Sequence, residues 1–99
     1  MKDMTDQDLL TMLKVDLGFV SSGQTKIDTR LVQLLQAAEK AIKAEGATTL
    51  DKTSIDDAQL IVMYAAWLWR RRDTQDGMPR MIRYALNNRI FSEKMAVSS

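Results

Sequence analysis

Leu60-Ile61-Val62-Met63-Tyr64-Ala65-Ala66-Trp67-Leu68-Trp69 runs without a charge into Arg70-Arg71-Arg72, and after a polar stretch the chain restarts at Gly77-Met78-Pro79-Arg80. A segment that is apolar on every side, holds both tryptophans and ends in cations predicts a helix buried all round by its own chain or by a neighbour. It is too short for a bilayer, which needs about 20 apolar residues. No membrane association is expected.

Working outward, the flanking sequence reads as three more helices and no strand. Thr5 and Asp8 have the spacing of a capping box, and Leu9, Leu10, Met12, Leu13 and Leu17 follow at helical spacing until Gly18 closes the first helix. Ser21 to Thr25 reads as a loop. A second helix from Ile27 or Asp28 carries the apolar stripe Leu31, Leu34, Leu35, Ala38 and Ile42 and stops at Gly46. Ser54 is expected to cap the central third helix with Asp57 reaching back. The turn residues Asp73-Thr74-Gln75-Asp76-Gly77 end that helix, and Pro79 opens a fourth that runs to about Phe91. Met78, Met81, Ile82, Ala85, Leu86 and Ile90 are its expected buried face. The expected architecture is all-α: one four-helix domain over residues 1–91, with 92–99 a tail that is mobile in the free subunit. Ile61, Val62, Ala65 and Leu68 are the expected centre of the core.

Ninety-nine residues bury a limited core, so association with other copies would add much stability. With no cysteine and no histidine, the chain lacks a thiol nucleophile, a disulfide framework, and the commonest metal ligand and acid/base catalyst. The paired Asp56-Asp57 sits at a helix start, where carboxylates have a structural role. No catalytic, cofactor-binding or metal-binding set emerges, and the reading is of a protein that is not an enzyme. The polar, acidic N-terminus lacks the apolar segment of a signal peptide, so a cytoplasmic chain is expected.

Charge is divided along the sequence. Residues 1–69 carry seven Lys/Arg against ten Asp/Glu, whereas residues 70–99 carry seven against three. A basic C-terminal third suits a subunit with one end on an anionic surface, either nucleic acid or an acidic partner. Arg70, Arg71 and Arg72 fall where cations offset the helix dipole, but three in succession point in different directions. At least one is left for solvent, a neighbour's acid or DNA phosphates. Trp67 and Trp69 are about 200° apart around a helix, so they cannot share a face, and one is expected at a boundary or interface.

The Leu-rich first helix, the Ala-rich second, the Trp67-Leu68-Trp69-Arg70-Arg71-Arg72 helix end and the Gly77-Met78-Pro79 restart, in that order, resemble the head-tail connector family of tailed phages and prophages over Asp8 to about Phe91. A second tryptophan, the run of three arginines and the short loop before Pro79 depart from its pattern. The resemblance implies an adaptor without catalysis. Copies join head-to-tail into a ring, twelve by family resemblance, under the portal protein; the ring extends the channel through which genomic DNA passes and docks the next connector or a tail-completion protein. It places the chain in the host cytoplasm during assembly and at the virion head-tail interface afterwards. On that reading, Trp67, Trp69, Arg70, Arg71, Arg72, Arg80 and Arg83 are candidates for the subunit interface or the DNA channel. Arg89, Ile90, Phe91, Lys94 and Met95 are candidates for portal binding, through a tail that orders on contact.

One rival reading comes from the fourth helix. Arg80, Arg83 and Asn87 share a face with Asn88 beside it, and arginine and asparagine read guanine and adenine in the major groove. A helix-turn-helix protein, however, joins its recognition helix to a partner by a short turn, and a duplex binder is more basic overall.

Overall fold

The computed structural model describes residues 4–19, 25–71 and 77–98. It holds four helices, α1 (Asp6–Leu17), α2 (Thr25–Glu45), α3 (Ile55–Arg70) and α4 (Arg80–Ser98), with no strand among the described residues. The expected loop at 21–24, Arg72 and the expected turn at 73–76 lie outside those residues.

Local chemistry explains the boundaries. At the start of α1 the Asp8 amide donates to Thr5 Oγ1 at 3.1 Å and the Thr5 amide donates to Asp8 Oδ2 at 3.0 Å, closing the capping box on two otherwise unpaired donors. Gly18, at φ +84°, ends that helix in the left-handed region that a side chain disfavours. α2 begins at Thr25, earlier than the apolar stripe indicates, and ends before Gly46, which adopts φ +133°.

α3 is the centre, packed by α1, α2 and α4. Ile61, Val62 and Ala65 are buried beside Leu13, Leu31 and Ile42, while Leu68, expected in the same core, is only half-buried against it. Enclosure on every side is not achieved. The domain measures 47 × 37 × 18 Å, and two stacked helices with side chains already span about 20 Å. A plate this thin leaves each helix a solvent-facing strip; on α3 that strip passes through exposed Gln59 and half-buried Met63.

The expected cap of α3 is corrected. Ser54 has N-cap backbone angles but its side chain makes no capping bond. Asp57 does not reach back to it either: Asp57 Oδ2 accepts from the Asp51 amide at 2.9 Å, and both its oxygens accept from Arg89. A carboxylate bonded by a guanidinium across the structure gains more than one bonded to a single local amide.

α4 brings two further corrections. Met81, expected inward, is 72% exposed. The inward row is Ile82, Leu86, Arg89 and Glu93, of which the last two are charged, so hydrophobicity alone rotates the buried face away from its true centre. The helix also continues past its expected end at about Phe91 to Ser98. The reason is Glu93, whose carboxylate accepts from the Thr48 amide and hydroxyl at 3.1 and 2.9 Å and from the amide and hydroxyl of Thr49. Those four donors come from the loop between α2 and α3, far away in sequence.

Candidate interaction surface

The sequence candidates do not gather into one cluster. Arg70 turns to the end of α1, donating to Asp16 O at 3.1 Å and approaching Asp16 Oδ2 at 3.4 Å. Arg71 stacks its guanidinium 4.8 Å over the Trp67 ring. Trp67 meets Tyr64 edge-to-face at 5.4 Å, and Trp69 meets Phe19 in the same way at 5.7 Å. Both tryptophans are thus half-buried at the margin of the core, one on each side of the α3 end. Arg80 is exposed, and Arg83 lies 3.7 Å from Glu45 at the end of α2.

The portal-binding set divides as well. Arg89 is committed inside the domain: its Nε donates to Asp57 Oδ1 at 2.7 Å, its Nη2 to Asp57 Oδ2 at 3.3 Å and to Thr49 Oγ1 at 3.2 Å. The hydrogen bond to Asp57 holds its pKa above the ordinary arginine value, with the nearby charges of Asp57 and Glu93 adding to the effect against desolvation. The bonds from Thr49 and Thr48 lower Glu93 to about 2, so this group is ionised throughout the neutral range. Arg89 is therefore a structural clasp joining α4 to α3 and its preceding loop. Ile90 packs over Gly46, where an added Cβ would lie 3.3 Å from Ile90 Cγ2.

Phe91, Lys94 and Met95 remain on the outside. With Met81 and Tyr84 they form a feature not recognised from composition. Met81, Tyr84, Phe91 and Met95 are 72%, 59%, 64% and 57% exposed. With Asn88 they repeat at alternating intervals of three and four residues, and at about 100° per residue all five fall within about 80° of arc on α4. This is an apolar ridge on the face turned from the core. Its signal in the sequence is the three-four repeat, hidden there by the equally good apolar register through Ile82 and Leu86.

The ridge has unequal flanks. Arg80, Arg83, Asn87 and Lys94 border one side, and the small residues Ala85 and Ser92 border the other. Chemically it offers a dispersion and desolvation surface with a cationic edge, suited to a helix or groove that carries acids. Among the described residues no three His, Cys, Asp or Glu side chains group to hold a metal ion, and no helix is long and apolar enough to cross a membrane. Comparison with protein-family models, curated proteins and solved structures finds no match.

Proposed function

We propose that this protein is a structural head-tail connector subunit of a tailed phage or prophage, working as one member of a homo-oligomeric ring between the portal and the next connector or tail-completion protein. The order of motifs along the chain supports the reading. The observation that carries it is the α4 ridge, because four large apolar side chains on one outward face stay in water only until a partner covers them. Head-to-tail contact around a rotation axis requires two different complementary faces on each subunit and an angle that closes. Function is then geometric: the plate-like domain becomes a wall segment, and arginines such as Arg70, Arg71 and Arg80 serve neighbouring acids or weak, non-specific contact with passing phosphates.

Electron microscopy of the concentrated protein, with and without the portal of the same phage, tests this. Rings, or capture of the protein on the portal, are expected. Absence of both would overturn the connector reading, and sequence-specific, salt-dependent binding of duplex DNA by the free protein would support the helix-turn-helix alternative built on Arg80, Arg83, Asn87 and Asn88.

A further inference from the structure

We propose that α4 of one copy pairs in parallel with α4 of a second copy, ridge against ridge, with Asn88 facing Asn88 across a two-fold axis. The inference goes beyond the ring reading, because it names what covers the ridge in the free protein. Met81, Tyr84, Asn88, Phe91 and Met95 recur at intervals of three, four, three and four, the a and d spacing of a two-stranded coiled coil over two heptads. Two heptads are short for isolated helices, which must order as they meet. Here the helix is already held by Ile82 and Leu86 in the core and by the bonds of Arg89 and Glu93, so pairing has little ordering to offset. The seam is built from methionine and aromatic side chains, residue types that adapt to a neighbour's shape and are enriched where partners meet.

Asn88 selects the occupant. It is exposed at the middle of a seam whose other members are large and apolar. Packed into an apolar groove, its amide would give up water and find no partner, a desolvation cost that nothing offsets. Against its own copy, the amide nitrogen of one Asn88 donates to the amide oxygen of the other. A single asparagine at an a position is also the device that fixes register and holds a coiled coil to two strands. The flanks set the direction. The ridge reads Met, aromatic, Asn, aromatic, Met from either end, so its layers match both ways. An antiparallel pair would gather Arg80 and Lys94 of both copies along one edge, where like charges oppose each other. The parallel pair sets Arg80 beside Ala85 and Asn87 beside Ser92, which carry no charge. Arg83 lies further round the helix and keeps Glu45 at 3.7 Å. A two-fold pair closes with two copies, so it is a different contact from the head-to-tail one of a ring, and it keeps the ridge out of water until that assembly begins.

The seam is smaller than a standard interface of about 800 Å² per partner, so a weak pair is expected and sedimentation equilibrium is run on the full chain from about 10 µM to 1 mM. The apparent mass should rise from one chain toward two and no further. Phe91→Glu and Asn88→Asp alter exposed side chains, and circular dichroism checks that each variant keeps the parent's helicity. Each should weaken the pair at least tenfold. The absence of cysteine makes direction readable by disulfide trapping. Met81→Cys alone, mildly oxidised, should give a linked homodimer well above the random-collision level set by Lys40→Cys on the exposed side of α2. A chain that stays monomeric to 1 mM, or a dimer that Phe91→Glu and Asn88→Asp leave unchanged, overturns the inference. So does preferential linkage of Met81→Cys to Met95→Cys, which marks the antiparallel pair. Rings or portal capture from a chain that forms no such pair would leave the connector reading standing and remove this contact. The pair with neither rings nor portal capture would keep the contact and remove the connector reading.

Discussion

Replacing Arg89 with methionine isolates the clasp that fastens α4. The substitution keeps most of the stem's volume and deletes the guanidinium, so packing changes little while Asp57 loses its bonds at 2.7 and 3.3 Å. What remains is a carboxylate whose side chain is 9% exposed, with the Asp51 amide as its remaining bonded donor. Breaking a buried ion pair from one side costs about 3–5 kcal/mol when burial is complete. Because the Arg89 side chain is itself 20% exposed, water enters more readily and about 2–3 kcal/mol is the appropriate loss. For a domain of this size that lowers the melting temperature by about 10–20 °C, a large share of a total stability of about 5–15 kcal/mol. Urea and thermal unfolding followed by circular dichroism provide the measurement. The double variant Asp57→Asn with Arg89→Met should recover at least half of the loss, since asparagine carries no stranded charge and its carbonyl still accepts from the Asp51 amide. An Arg89→Met protein within about 0.5 kcal/mol of the parent would refute the clasp and return Arg89 to the set of partner contacts.

Glu93 has its folded pKa lowered from 4.5 to about 2, so its contribution is complete above 4.5 and is lost as pH falls through that interval. Glu93→Gln should reduce the drop in urea midpoint between pH 7 and pH 3, and an unchanged drop would contradict the assignment. Gly46→Ala places a Cβ at φ +133° and 3.3 Å from Ile90 Cγ2, and a destabilisation of about 1–3 kcal/mol is expected in the same assay; a midpoint equal to the parent's would count against that close approach. Ile61, 1% exposed at the centre of α3, should cost about 2–5 kcal/mol as alanine and unfold the domain as aspartate. Full helicity with a normal melting curve in Ile61→Asp would displace α3 from the core.

The four helices and the caps of α1 were legible because their causes are local. The Thr5–Asp8 box, the Gly18 stop and the α2 stripe from Leu31 to Ile42 each rest on residues within a few turns of one another. The candidate surface was legible only in part. Phe91 and Met95 drew attention as apolar residues near the C-terminus, but Met81 was expected in the core and Tyr84 was not singled out, although both stand on the same ridge. Two apolar registers overlap on α4, and pattern alone gives no reason to turn the one through Arg89 and Glu93 inward.

The amino-acid sequence by itself determined an all-helical chain centred on the segment from Leu60 to Trp69, because helical periodicity, capping and turn chemistry act over a few residues and need no partner. Only the tertiary structure decided which face of α4 is inside, how far that helix runs, and what Asp57 and Arg89 do. Those outcomes depend on donors and acceptors brought together from positions 48–57 and 89–93, and the free energy of a buried charge is set by whether such a partner arrives. Once Arg89 and Glu93 find theirs and turn inward, Met81, Tyr84, Phe91 and Met95 are left outside, and the same packing that completes the fold creates the exposed apolar ridge.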